Sequence, residues 1–557
     1  MRIDSRGSDG TPGARVDSPS KGRAKGRGRE SKGNTMLTHK SIDRRSLIAA
    51  GTAALGAGMI CATAKADMAW DKETDVVVIG CGYAGACAAI SALDEGASVI
   101  VLEKAPVVGG SSYVAVGTIH TAIRYDDVDA FIQTRLEQTM GMVADEEVDA
   151  YVRHEEEIGD WLEFDLGMDT VWTPRPDQGA YMANRVDANG NIGNGADLFG
   201  FFEGLMMEKG AEVLVNSPAI DLIQDTETKE VLGVVADTPE GVIRIKAAKG
   251  VVLSCGGYEN NPQLQYEYHF PGIPFVPWGT PYNTGDGIAL AQKVGARMWH
   301  FSCFEYAGLA PKAAYEQVEG NPVFTMLYNN KSFYGSNTGG SFMIVNKDGK
   351  RFFNENMGIG HQKTTIPFNQ YDSSRQQYVN YPFFFLCDEA LLAAGPIAGL
   401  PVYNAKEFTY AAYNCDYRWS ADNAAEIEAG WIVKADSVEE MAEKLGVDAE
   451  GLAQTVAEFN ANESDPFGRA AEDKTPLQGT LYAVECLISV INTMGGAQRD
   501  AESRVIGYDG QPIPRLYGGG EFGSFNGAIE YSFGNIAEAI TSGRFAGLNA
   551  AQLESWA

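Results

Sequence analysis

The chain has 557 residues, 45% of them apolar, which is more than one hydrophobic core usually organises. Its charge is uneven: residues 1–66 hold 13 Lys and Arg against 5 Asp and Glu, leaving a net charge of −38 on the rest. That acidity argues against nucleic acid and anionic lipid as partners, and it suits an encounter with a basic electron donor.

Residues 1–34 are rich in Gly, Ser, Arg and Lys with little apolar content and are expected to be disordered, with Met36 as an alternative start. Asp43-Arg44-Arg45-Ser46-Leu47-Ile48 follows, then an Ala- and Gly-rich apolar run to about Ala62 and a small-x-small site at Ala64-Lys65-Ala66. This pattern reads as a twin-arginine export signal, which places the mature protein on the periplasmic or extracytoplasmic side. The run falls short of the roughly 20 residues that span a bilayer, so a signal fits better than an anchor. No later segment reads as a membrane span.

Asp75 to Ile79 is a continuous apolar run fit for a central parallel strand, Ala84 to Glu95 reads as the following helix, and Ser98 to Leu102 as the next strand. Between strand and helix lies Gly80-Cys81-Gly82-Tyr83-Ala84-Gly85. Gly80 permits the tight turn, Gly82 lets backbone approach a pyrophosphate, and Gly85 allows close helix packing. The helix N-terminus adds donors and partial positive charge. Glu103, closing the second strand, can accept from ribose hydroxyls, which favours a dinucleotide without a 2′-phosphate. Lys104 then leads into a second glycine turn, Gly109-Gly110-Ser111-Ser112.

Residues 128–166 are acidic with helical period, 211–236 alternate like paired strands, and Lys249 to Ser254 is another apolar strand running into Cys255-Gly256-Gly257. From about Cys303 the composition turns to Tyr, Asn and Gly. Val438 to Asn462 returns to amphipathic helices. Gly518-Gly519-Gly520-Glu521 and Gly534-Asn535-Ile536 then open a last helix whose N-terminus can stabilise negative charge on a reduced flavin. The glycine clusters together point to FAD. The eight cysteines show neither C-x-x-C nor C-x-x-C-H spacing, so no metal site is expected, and an iron-sulfur centre would have to be assembled from scattered thiols.

These motifs, with T-G-D-G-I at Thr284 to Ile288, G-K-R-F-F-N-E at Gly349 to Glu355 and N-T-M-G-G at Asn492 to Gly496, run in the order of a known family. The chain resembles the FAD-dependent fumarate reductase, urocanate reductase and 3-ketosteroid dehydrogenase superfamily over nearly all of residues 72–551. The resemblance implies an α/β fold: a discontinuous Rossmann-like FAD-binding domain, residues 67–302 and 486–557, with an inserted α+β capping domain at 303–485. It also extends the cofactor set to Gly256 and Asp286. With no His in the Lys104 to Thr118 stretch and His120 just beyond it, FAD is expected to be non-covalent.

Fumarate reductases of this superfamily hold their dicarboxylate with two His and an Arg and donate the proton from another Arg. Matching by motif puts Ile359, Asn492 and Glu530 at three of those positions, and the fourth falls near Tyr306. Glu in place of an Arg repels a carboxylate, and Ile cannot give up a proton. A neutral acceptor is therefore expected, an enone or unsaturated lactone of the kind the cardiac-glycoside reductases of the family take. Asn492 is the candidate for polarising its carbonyl and Tyr531 for supplying the proton, with Glu530, His361 and Tyr306 as further site candidates. Electrons would come from an external donor such as a membrane-linked multihaem cytochrome. Two alternatives stand beside this reductase: a 3-ketosteroid-type dehydrogenase working in the oxidative direction, and a flavin electron carrier with no substrate of its own.

Overall fold

The structure is a computed structural model that describes residues 69–122, 128–175, 179–269, 275–277, 279–318, 325–326, 341–355, 367–399, 417–461, 464–470, 474–525 and 534–556. The export motif at 43–48, Ile359, His361, Glu530 and Tyr531 lie outside the described residues.

Strand β1 (Lys72–Ile79) enters helix α1 (Tyr83–Asp94) and then β2 (Val99–Leu102); β3 (Glu212–Leu214), β4 (Ala219–Gln224), β5 (Val231–Thr238) and β6 (Gly241–Leu253) follow. Val76, Val77 and Val78 are wholly buried, as a strand covered on both faces demands. β1 lies between β2 and β6, parallel to both, with Ile79 level with Leu102 and with Leu253. β3 extends the parallel sheet beyond β2, while β4 and β5 form an antiparallel extension from β6.

After β7 (Phe275–Pro277) and helix α2 (Asp286–Lys293), the chain builds a second sheet from β8 (Phe304–Pro311), β9 (Phe342–Asn346), β10 (Phe383–Asp388) and β11 (Val433–Ala435). Helices α3 (Val438–Leu445) and α4 (Ala449–Ala461) come next, then β12 (Leu481–Thr493), which pairs with β7, β8, β10 and β11. An aromatic core of Phe275, Phe304, Phe342, Phe383 and Phe385 fills one face of this sheet. Met441, Leu452 and Phe459 of the two helices cover Met343, Val345 and Leu386 on the other. The boundary expected at 485/486 falls inside β12.

The chain returns to the first sheet with β13 (Arg504–Ile506) and β14 (Pro512–Gly518), the latter parallel to β6 with Gly518 level with Leu253, and ends in helix α5 (Asn535–Ala551). Five parallel strands therefore stop at one edge, at Ile79, Leu102, Leu214, Leu253 and Gly518, and the glycine loops leave from four of them. Ligands of open α/β sheets bind outside that carboxyl edge. Helix α5 packs along α1 so closely that a Cβ added at Gly543 would lie 2.2 Å from Ala84 O, and one at Gly547 2.0 Å from Ala88 O.

Candidate active site

A cleft of about 1780 Å³, counting the space open to solvent, runs along the carboxyl edge from the first glycine loop to the N-terminus of α5. Of the sixteen expected cofactor residues, all but Gly85 and Gly109 line it. Those two work behind the wall. A Cβ on Gly85 would meet Gly80 O at 2.0 Å, and Gly109 N donates to Cys81 O at 2.7 Å, tying the two glycine turns together.

Gly80 holds φ +96°, open to glycine at little cost, and a Cβ there would stand 2.2 Å from Ser254 O. Ser112 Oγ accepts from Tyr83 N at 2.9 Å, so the second turn caps the start of α1. Glu103 Oε2 accepts from Cys81 N at 3.0 Å and Oε1 from Ala105 N at 2.8 Å, which fixes the carboxyl at the strand end. Burial raises its pKa, and the amide donors and Lys104 oppose that shift. A bare glycine wall, helix N-terminus and fixed carboxyl fit the pyrophosphate and ribose of a dinucleotide. His120 is buried against Phe131 and is not among the lining residues.

Sequence reasoning named Lys104, Asp286 and Glu521 without their interactions, and it missed Glu259 and Arg499. Lys104 Nζ donates to Thr284 Oγ1 and Asp286 Oδ2, both at 2.6 Å, so the family's T-G-D-G turn is clamped to the end of β2. Glu259, fully buried, accepts from Asn283 Nδ2 at 2.6 Å and Thr493 Oγ1 at 3.2 Å, and burial pushes it up to about 7. Glu521, half-buried at the cleft wall, is raised well above the usual carboxyl range by desolvation and by its neighbours Glu259 and Glu305. Arg499, with no exposed surface, donates to the carbonyls of Gly518, Gly520 and Gly523 and to Glu538. Only G-x-R-F-x-N-E hinted at the ion network in the cap, where Arg351 grips Glu355 through two bonds and Asp465 through a third.

Asn492 and Tyr306 part company. Asn492 sits on β12 and does not itself line the cleft, but its Oδ1 lies 3.4 Å from Nδ2 of Asn535, which does. Tyr306 packs among Phe275, Phe304 and Leu309 and does not line the cleft. Its chain neighbour Glu305 does, with the Asn535 amide donating to its Oε2. The alternation of a strand accounts for the exchange: adjacent residues face opposite sides. Among the described lining residues Lys104 is the one cation, and it is already paired with Asp286.

Residues 75–531 match the family model described as an FAD binding domain. The chain is 27% identical over 536 residues to the digoxin reductase of Eggerthella lenta, covering 88% of this chain and 89% of the relative. It is 26% identical to the cytochrome fumarate reductase of Shewanella frigidimarina, over 86% of this chain and 77% of the other. Its fold matches the crystal structure of 3-ketosteroid Δ1-dehydrogenase from Sterolibacterium denitrificans with a TM-score of 0.67, at 20% identity, over 86% of this chain and 99% of that one.

Proposed function

The chain belongs to the FAD binding domain family, and from that premise we propose that it reduces an activated C=C bond of an uncharged small molecule. It is an FAD-dependent oxidoreductase whose relatives act on such bonds. The observation that carries the choice of substrate is in the chain: by motif, Ile359 and Glu530 stand where the family's fumarate reductases carry arginines. At the α5 end of the cleft the described lining side chains Glu305 and Glu521 supply no counter-charge, and the one described lining cation, Lys104, is already paired with Asp286. A dicarboxylate beside them would be desolvated without a counter-charge.

The first glycine turn and the N-terminus of α1 would hold the pyrophosphate of FAD, Glu103 its ribose, and the N-terminus of α5 would face the flavin end. Reduced FAD, when bound, supplies the hydride that reaches the alkene's β-carbon. Asn492 donates to the acceptor's carbonyl oxygen and stabilises the charge that grows there, and Tyr531 is the assigned source of the proton for the α-carbon. Asn492→Ala should then lower turnover about 10²–10³-fold with flavin content intact. Near-parental turnover would move the carbonyl elsewhere.

Non-covalent attachment is supported by the seclusion of His120 from the cleft. Export by the twin-arginine route rests on Arg44-Arg45 and the apolar run after them, and a donor outside the chain, such as a membrane-linked cytochrome, is its consequence. Among the described residues, no helix is long and apolar enough to cross a membrane. The test is anaerobic reoxidation of the reduced protein. Neutral enones should reoxidise the flavin faster than fumarate at every pH. Brisk fumarate turnover, or bleaching of the oxidised flavin by a saturated ketone with no reoxidation by alkenes, would overturn the reading.

A further inference from the structure

Two carboxyl groups share one glycine at the carboxyl end of β6. Glu521 lines the cleft and accepts from the backbone amide of Gly257. A Cβ on that same glycine would stand 2.5 Å from Oε2 of the fully buried Glu259. Neither carboxyl is paired with a described cation: Arg499 is bound to Glu538, and Lys104 to Asp286. Two such groups in a site of low dielectric do not both ionise near neutral pH. Hydrogen-bond donors decide which of them keeps the proton, because each donor favours the charged form. Glu259 has Asn283 Nδ2 at 2.6 Å and Thr493 Oγ1 at 3.2 Å, whereas Glu521 has no side-chain donor among the described residues. The proton therefore belongs on Glu521. Burial and the surrounding Glu259, Glu305 and Glu538 hold it there well above the usual carboxyl range, against the one opposing amide of Gly257.

A protonated carboxyl is a donor as well as an acceptor, and this one faces the space that the expected cofactor residues line. We infer that Glu521 meets FAD as a neutral carboxylic acid, donating its hydrogen to an acceptor of the cofactor, and that FAD is therefore held together with one proton taken from solvent. Glu259 is the positioning residue, since its charge keeps the proton on its neighbour. Ionised Glu521 would lose the donated bond and set a like charge beside an anionic cofactor. Because FAD binds the protonated form, its affinity is full while Glu521 is protonated in the free protein. It falls as pH rises past that point, until the bound form ionises too.

The holoprotein is diluted at a series of pH values at which circular dichroism shows a folded chain, and released FAD is read by its fluorescence. In the parent the apparent dissociation constant should rise with pH by up to about tenfold per unit, the slope of one linked proton. Glu521→Gln, which stays neutral and keeps a donor, should hold its flavin with no such slope. Glu259→Gln removes the neighbouring charge, so its rise should begin at lower pH than the parent's. A parent constant indifferent to pH, or a slope that survives in Glu521→Gln, overturns the inference. If Glu521→Gln emerges without flavin, Glu259→Gln decides: an onset moved to lower pH upholds the inference, and an onset that has not moved overturns it.

Discussion

A Cβ added at Gly82 would sit 3.0 Å from Ser112 Oγ and 3.7 Å from Gly109 O, in the seam between the two glycine turns. The seam leaves little room for a Val side chain, so Gly82→Val should disturb the turn proposed to hold the pyrophosphate and purify with much less flavin. Glu103→Ala should do the same, since it frees both Cys81 N and Ala105 N from their acceptor. Parental absorbance in the flavin bands would refute the placement. Glu259 makes a different prediction. Its folded pKa, pushed up to about 7, exceeds the unfolded value of about 4.3, so the native state holds the proton more tightly. Stability is then greatest below that unfolded value, falls as pH climbs to about 7, and levels off above. Glu259→Gln keeps an acceptor for Asn283 and removes the titration. Its melting temperature should exceed the parent's at about pH 8 and lose that advantage at about pH 4. Parallel melting curves across that range would count against it.

Between elements, the decisive contacts join the last helix to the loop that precedes it. Arg499 binds three carbonyls of the 518–523 turn and pairs with Glu538 in the first turn of α5, while Ser524 Oγ donates to the other oxygen of Glu538 at 2.6 Å. The loop and the first turn of α5 are thus tied together. Arg499→Met would strand a buried carboxylate, a change that costs roughly 3–5 kcal/mol. Urea unfolding should show a loss of that size, and flavin should be released at lower denaturant than in the parent. A variant with unchanged midpoint would mean that Glu538 is compensated by another group. Three of the parallel strands needed no such inspection: the apolar runs at 75–79, 98–102 and 249–254 and the glycines after two of them are plain in the chain, whereas β14 was not expected. Arg499 carried no signal of its own, since nothing around Gln498-Arg499-Asp500 distinguishes a buried guanidinium from a surface one.

For the whole molecule, charge and address are the features to test. With a net −38 beyond residue 66, the protein should be reduced faster by a basic cytochrome than by an acidic one, and the advantage should shrink as salt rises. Stopped-flow reduction at low and high ionic strength reads this directly, and a rate indifferent to salt would remove the electrostatic argument. Export is read from the intact chain: Arg44→Lys together with Arg45→Lys should leave a flavin-loaded protein in the cytoplasm. Unchanged fractionation of that variant would rule out the twin-arginine route.

Order along the chain determined the first βαβ unit, the glycine turns and the cofactor, because that unit is local: strand, turn, helix and ribose carboxylate all fall between Lys72 and Glu103. Motif order likewise puts Ile359 and Glu530 where arginines are expected of a fumarate reductase, an assignment that lies outside the described residues. What occupies the space near Asn492 could not be read the same way. Glu305 was passed over for its neighbour Tyr306, because near that point spacing did not set the register and facing alternates with every residue of a strand. Only the pairing of β8 with β12 turned Glu305 to the cleft and Tyr306 to the aromatic core. The same folding brought Glu259, Glu305 and Glu521 close enough to raise the pKa of Glu521, an interaction that depends on distance through space and low dielectric, neither of which is written in sequence spacing.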